Sequence, residues 1–320
     1  MKQSLDLAQG NPSTPEVCIL LAVYNGAHYL PAQLESYVAQ THANWSLLVS
    51  DDGSDDGGKM VLDAFCHANP EHAYKYTSGP QKGFAQNFFS LLQQVPMHVP
   101  YVALSDQDDV WLPSKLSRAV AHLEALPEGV PGLYCARTQI CDAQLQITGL
   151  SSLFCRPASF GNALVQSLGG GNTMMLNRAA LDLVQGAINE AGDVVAHDWW
   201  LYQIVTGCGG QVIYDPKPVL LYRQHDGNLI GSNLSIKARF YRLGALLLGR
   251  FKVWNDINVL ALSGSQARFT PQAQEQYKNF KAAREKSHLF GLRHLKHSGV
   301  YRQNALGTVA LYLACIFKRL

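Results

Sequence analysis

Leu104-Ser105-Asp106-Gln107-Asp108-Asp109-Val110-Trp111 places three carboxylates within four residues, directly after the apolar run Tyr101-Val102-Ala103-Leu104. A short apolar run of this kind reads as a buried strand. The acids then lie at its carboxyl end, where open α/β sheets bind ligands. On an extended segment side chains alternate faces, so Asp106 and Asp108 are expected on one side and Asp109 on the other. Two carboxylates on one side suit a hard divalent cation, which is usually held by one or two carboxylates together with phosphate oxygens. The alternative is an acidic loop that caps the next helix, Leu112 to Leu126.

Two more units of the same design lie upstream. Trp45 to Val49 is apolar and runs into Ser50-Asp51-Asp52-Gly53-Ser54-Asp55. Val17 to Val23 is apolar and runs into Tyr24-Asn25-Gly26. Each is followed by helical patterning, at Ala27–Gln40 and Gly57–Ala68. Strand, polar loop and helix in repetition predict a parallel sheet with all three loops along one edge. Asp51 and Asp52 there suit ribose hydroxyls or a base N–H; the alternative is an Asp/Gly turn with Ser54 as N-cap. A strand at Ala73–Thr77 and a helix at Gly83–Gln94 complete this half. Further on, Gly132 to Ile140 reads as a strand. Gln211–Tyr214 and Val219–Arg223 read as two more, separated by Asp215-Pro216-Lys217-Pro218. Helical patterning covers Arg178–Glu190 and His197–Val205.

The chain has 320 residues, 47% of them hydrophobic, enough for one large α/β domain plus an appendage. Seven cysteines, without a Cys-x-x-Cys pair, argue against a disulfide framework or a zinc cluster and for a reducing compartment. Residues 1–15 are polar with no apolar core, so no signal peptide is expected. The net charge of +2 conceals an asymmetry. Residues 1–234 carry 11 Lys/Arg against 21 Asp/Glu, whereas residues 235–320 carry 15 against 3. The basic part contains the apolar stretches Leu243–Leu248, Val253–Leu262 and Ala305–Phe317. The last is too short to span a bilayer. Basic residues beside apolar stripes suit a helix lying on an anionic leaflet; the alternative is an appendage packed on the core. No nucleic-acid motif accompanies the charge.

The chain resembles the GT-A fold family 2 glycosyltransferases, and within them the rhamnosyltransferase-like enzymes of bacterial O-antigen and cell-wall polysaccharide. The matching blocks are Ala22 to Gly26, Ser50 to Asp55, Gly83 with Asn87-Phe88, Ser105 to Trp111, Gly169-Gly170-Gly171-Asn172, His197-Asp198-Trp199-Trp200 and Tyr222-Arg223-Gln224-His225. They cover residues 16 to 232. The resemblance implies a Rossmann-like, mostly parallel sheet flanked by helices. A flexible N-terminus at 1–15 precedes a glycosyltransferase domain at 16–232, with nucleotide-binding half 16–125 and acceptor half 126–232. A basic helical region follows at 233–320.

The implied activity is inverting, metal-dependent transfer of a sugar from a nucleotide-diphosphate donor to a hydroxyl of a saccharide acceptor. The best match is L-rhamnose from dTDP-rhamnose, with a lipid-linked polysaccharide as acceptor. A UDP donor of glucose, galactose or N-acetylhexosamine is the alternative, and a non-catalytic nucleotide-sugar binder is the reading from another class. Asp198 is expected to be the general base, standing second in the family's acidic pair, whose first position is here His197; Asp226 or Asp109 come next. Asp108 and Asp106, with His225, are expected to hold Mg2+ or Mn2+. Donor binding is expected from Tyr24, Asn25, Asp51, Asp52, Lys82, Gly83, Asn87, Asp106 and Gln107. Acceptor or sugar contacts are expected from Asp109, Trp111, Gly170, Gly171, Asn172, His197, Trp199 and Trp200. A processive synthase would need membrane spans and a Gln-x-x-Arg-Trp motif, and this sequence has neither. The implied location is cytoplasmic, peripheral on the inner membrane.

Overall fold

The computed structural model describes residues 14–225, 250–285 and 288–320. Residues 1–13, the 232/233 boundary, Leu243–Leu248 and Asp226 lie outside the described residues. The chain begins with the expected alternation: β1 (Val17–Val23), α1 (Leu30–Val38), β2 (Trp45–Asp51), α2 (Gly58–Ala68), β3 (Tyr74–Ser78), α3 (Phe84–Gln94) and β4 (Tyr101–Ser105). β3, β2, β1 and β4 lie side by side and are all parallel. β1 is apolar throughout because both its faces are covered. Cys18 and Leu20 enter the core on one face, Val17, Ile19, Leu21 and Val23 the core on the other.

The second half continues the same sheet. It comprises β5 (Val110–Trp111), α4 (Lys115–Glu124), β6 (Gly132–Cys141), β7 (Ile147–Leu150), α5 (Phe160–Ala163), a 3-10 turn (Gly171–Thr173), β8 (Met175–Asn177), α6 (Arg178–Ala191), α7 (His197–Gly207) and β9 (Gln211–Arg223). The order runs β3-β2-β1-β4-β8-β6-β9-β5, with β7 paired to β6. β8 is antiparallel to β4 and β6, and β5 to β9, so the sheet is mostly parallel with antiparallel insertions. The two strands expected at Gln211–Tyr214 and Val219–Arg223 are one. β9 runs through Asp215-Pro216-Lys217-Pro218, and its register against β6 shifts there. Neither proline can donate to a ladder, so both are confined to the irregularity. Asp215 secures it by accepting from Tyr134 Oη (2.9 Å), Arg118 Nε (3.0 Å) and Lys217 N (3.0 Å).

After the undescribed segment come α8 (Arg250–Ser263), α9 (Pro271–Glu285), α10 (His288–His297) and α11 (Ala305–Ile316). These helices join the main core. Phe251, Leu262, Phe269, Tyr277, Phe280, Leu295 and Leu311 share one buried cluster with Phe89 of α3, Val184 of α6 and Trp200 of α7. The packed-appendage alternative therefore describes the buried side of the basic region. No described helix is long and apolar enough to cross a membrane. All seven cysteines are free thiols.

Candidate active site

The loops after β1, β2, β4 and the 3-10 turn meet at the carboxyl edge of the sheet. Gln107 ties two of them together. Its Oε1 accepts from Tyr24 N (2.8 Å) and its Nε2 donates to Tyr24 O (2.9 Å). β1 and β4 pair as far as Leu21 and Ser105. The amide of Gln107 thus extends the contact beyond the last paired residues. The fit requires glycine at 26, since a Cβ there would stand 2.2 Å from Gln107 Oε1. Tyr24 remains exposed. Asn25 has a left-handed backbone (φ 48), tolerated by Asn better than by most residues. Its Oδ1 accepts from Asp55 N (3.0 Å).

The Asp51 carboxylate is engaged on both oxygens by neighbouring groups. One oxygen accepts from Gly53 N (3.1 Å) and Ser54 N (2.7 Å), the other from Tyr76 Oη (2.8 Å). Burial raises its pKa, but these bonds outweigh it and hold the carboxyl below its ordinary value. It is a buried organiser of the loop. Asp52 is partly exposed and ties in the β3–α3 loop, accepting from Gln81 N (2.6 Å) and Gly83 N (3.0 Å). Asn87 is buried under the same edge. Its Nδ2 donates to Ser50 O (3.0 Å), while its Oδ1 has no partner. Lys82 and Gly83 line a shallow depression with Phe84, Gln86, Asp193 and Val194.

The acidic loop after β4 splits as its alternation predicts. Asp106 and Asp108 are partly exposed, and Asp109 is fully buried. Asp109 accepts from Asn172 Nδ2 (2.5 Å) and from Arg223 N (3.4 Å). That pairing reassigns both Asp109 and Asn172 from acceptor contact to internal clamp. Arg223 Nε donates to the Asp108 carbonyl (2.9 Å), and His225 Nε2 lies 2.8 Å from Asp108 Oδ2. The His225 ring stacks on Tyr29 at 4.4 Å. Burial pushes Asp106 up to about 7, reinforced by the charges of Asp108 and Asp198. Asp109 is raised well above its ordinary value by burial and by Asp108 and Asp106. A cation beside Asp106 would offset the burial and the neighbouring negative charges that raise it. Among the described residues no three His, Cys, Asp or Glu converge as a ready-made metal cage. Two carboxylates with an adjacent imidazole fit a divalent ion whose other positions are filled by diphosphate oxygens and water.

Lys115 is a buried cation beneath the site that pattern reading misses. It is fully buried, its Nζ lies 3.9 Å from the Trp111 ring centroid, and it faces the Asp109 and Asp106 charges. Burial lowers it to about 7, against the pull of those carboxylates. The available signal was a cation in the first turn of α4, where the helix dipole favours an anion. Trp111 itself is enclosed, 4.7 Å from the Tyr37 ring, so it cannot stack on a sugar.

Asp198 occupies the first turn of α7, opposite the 3-10 turn. It accepts from Trp199 N (2.6 Å) and Gly171 N (3.2 Å). Burial pushes it up to about 6 against those two bonds. It is close enough for its charge to raise Asp106. Gly170 precedes the turn, and Gly171 packs directly on His197: a Cβ at 171 would lie 2.2 Å from His197 Nε2. The His197 ring is buried, stacked on Phe88 at 4.0 Å, with neither nitrogen hydrogen-bonded. Burial drives it down to about 3, so it is a neutral packing group rather than an acceptor ligand. α7 buries nine of its eleven residues. Trp200 packs edge-on to Phe89, and Trp199 donates from Nε1 to Ala163 O (2.6 Å). Both tryptophans belong to the core, which corrects their expected sugar-stacking role.

The fold is that of the GT-A glycosyltransferase structures. Residues 18–161 match the model for Glycosyl transferase family 2. It is 29% identical over 236 residues to the dTDP-rhamnosyl transferase RfbG of Shigella flexneri, covering 70% of this chain and 78% of that protein. It is 30% identical over 105 residues to the UDP-Glc:alpha-D-GlcNAc-diphosphoundecaprenol beta-1,3-glucosyltransferase WfgD of Escherichia coli, covering 33% and 40%. The mannosyltransferase PcManGT of Pyrobaculum calidifontis, solved with GDP-Man and Mn2+, superposes with TM-score 0.50 at 17% identity over 99% of this chain and 90% of that one. S. aureus TarS 1-349, solved with UDP-GlcNAc, superposes with TM-score 0.53 at 14% identity over 95% and 88%.

Proposed function

We propose that this protein is a family 2 glycosyltransferase that moves L-rhamnose from dTDP-rhamnose to a hydroxyl of a growing, lipid-linked cell-surface polysaccharide such as an O-antigen. The reaction is inverting and depends on Mg2+ or Mn2+. It takes place at the cytoplasmic face of an anionic membrane. The observation that carries this reading is the meeting of Asp198 with the Asp106–Asp108 pair at one sheet edge. The dTDP-rhamnosyl transferase named above supports the donor assignment, and the UDP-glucose-using relative, matched over a third of this chain, keeps a UDP donor as the competing outcome.

Each residue then has a task. Asp106 and Asp108 hold the divalent cation, with His225 orienting Asp108. When bound, that ion supplies positive charge to the departing diphosphate. Gln107, Tyr24, Asn25 and Asp52 frame the nucleotide, with Lys82 and Gly83 at the margin. Asp198 takes the proton of the acceptor hydroxyl as its oxygen attacks the anomeric carbon from the face opposite the leaving group. A carboxyl near pKa 6 is ionised at neutral pH and still more basic than an ordinary one, which suits this role. The N–H groups of Gly171 and Trp199 fix its direction. Asp109, Asn172 and Lys115 hold the two acidic loops in place from beneath.

The test is a donor panel. The protein with Mg2+ or Mn2+ is incubated with dTDP-rhamnose, UDP-glucose, UDP-galactose and UDP-N-acetylglucosamine, and nucleotide diphosphate release is measured. Release from dTDP-rhamnose alone is expected. Preferential release from a UDP sugar moves the donor assignment, and release from none contradicts a catalytic role.

A further inference from the structure

The structure gives the basic C-terminal region a second face. α11 (Ala305–Ile316) contains no charged residue and buries Leu311, Ala314 and Cys315 against the core. Its opposite side is apolar as well. Leu306 is 84% exposed, Val309 57%, Leu313 48%, and Phe317, just beyond the helix, 64%. At 100° per residue these four fall within a narrow strip along one side. Phe290 of neighbouring α10 is 70% exposed. A continuous apolar strip on a water-facing helix marks an interaction site.

Charge decides the partner. No Asp or Glu follows Glu285 in the sequence, whereas Arg293 and Lys296 of neighbouring α10 and Lys318 and Arg319, just beyond α11, are exposed. A second copy would bring the same cations against them. An anionic lipid surface accepts both the cations and the apolar side chains. α11 has 12 residues, about 18 Å of helix, too short for the roughly 30 Å hydrocarbon layer. It therefore lies in the interface rather than across it.

The strip is also firmly joined to the catalytic side of the molecule. Just before α11, Tyr301 O accepts from Asn162 Nδ2 (2.8 Å), and Gln303 Oε1 accepts from Arg156 N (2.9 Å). Asn162 lies in α5 and accepts from Tyr202 Oη of α7 (3.0 Å), and Trp199 of α7 bonds to Ala163 of α5. α7 carries Asp198. We infer that the Leu306–Val309–Leu313–Phe317 strip, with Lys318 and Arg319, seats α11 in an anionic bilayer surface and holds the acceptor side of the active site at a fixed height above the lipid. This deepens the proposed membrane location and rests on that reading for its purpose, but lipid binding is measured independently of transfer.

The test compares vesicles of equal parts phosphatidylglycerol and phosphatidylcholine with vesicles of phosphatidylcholine alone. Truncating α11 would strip Leu311 and Cys315 from the core, so the variants are Leu313→Glu/Phe317→Glu and Lys318→Glu/Arg319→Glu. Wild type is expected to sediment with the anionic vesicles at low salt, to release as salt rises, and to stay off the neutral ones. The apolar pair of changes lowers affinity on the order of tenfold or more. The charge changes lower it about fivefold per cation removed. Melting temperature and donor hydrolysis in solution stay at wild-type values in both variants. Wild type remaining in the supernatant at low salt overturns the inference, as does undiminished binding of the Leu313→Glu/Phe317→Glu variant. So does a wild-type dimer in sedimentation velocity that this variant splits. Loss of donor hydrolysis in the wild type, with lipid binding intact, would count against the catalytic reading alone.

Discussion

Replacing Asp198 by Asn separates the cost of holding a base from its use. Burial raises the Asp198 carboxyl to about 6 from an ordinary value of 3.8. A shift of about two units corresponds to about 3 kcal/mol of unfavourable interaction with the ionised form. Because the folded value is raised, this group's contribution to stability is fully present below pH 4 and is lost as pH rises through about 6. Asn carries no charge and lacks this loss. It keeps the bond from Trp199 N but turns an N–H2 toward Gly171 N, forfeiting a bond worth about 1–1.5 kcal/mol. The Asn variant is therefore expected to be about 1–2 kcal/mol more stable than wild type at pH 8, and slightly less stable below pH 4. Asp106 adds to the gain, since the Asp198 charge is among the causes of its own rise. Urea titrations of both proteins across pH 4–8, in chelator, measure the gap. In the same variant kcat falls by about 10²–10⁴ while donor KM changes little. Wild-type activity should fall tenfold per pH unit below about 6. A stability gap independent of pH, or turnover within tenfold of wild type, refutes the assignment of Asp198 as the general base.

Asp108→Asn keeps the shape of the side chain but removes a charge; transfer should be abolished and metal-dependent binding of the nucleotide diphosphate weakened, as isothermal titration would show. Full activity of the wild type in chelator would contradict the metal role. The product should carry the anomeric configuration opposite to the donor, read from its NMR coupling constants, and retention would contradict single displacement. Gly171→Ala forces a methyl group against the His197 ring and should cost about 1–3 kcal/mol in urea unfolding, with loss of activity as the turn under Asp198 moves. A Gly171→Ala protein of wild-type stability would contradict the tight packing of the turn on His197.

The sequence reveals the parallel half of the sheet because β1, β2 and β4 are covered on both faces and so read as unbroken apolar runs. It conceals β5, β7 and β8, which have two, four and three residues, too few to display a period. β9 appears broken because Pro216 and Pro218 carry the marks of a loop, while the bonds that keep the strand continuous come from Arg118 and Tyr134, about 80 to 100 residues away. The carboxylates of the site stand out by composition alone. Their division of labour does not. Whether an Asp binds ligand or braces a loop depends on partners such as Tyr76 for Asp51 and Asn172 for Asp109. The tryptophans of α7 are aromatic residues in a family block, and only the packing of Phe89 and Ala163 around them reveals that they are core.

The amide of Gln107 has a bearing on engineering. By bonding both the N–H and the carbonyl of Tyr24, it makes residues 24–26 and 106–109 one mechanical unit assembled from two distant stretches of sequence. Gly26 is the socket that lets the joint close. A graft intended to change the donor by replacing either loop alone would leave half of a two-point fastening behind. The transferable module is therefore discontinuous: the first loop, the second loop, Gln107 and Gly26 have to be moved together.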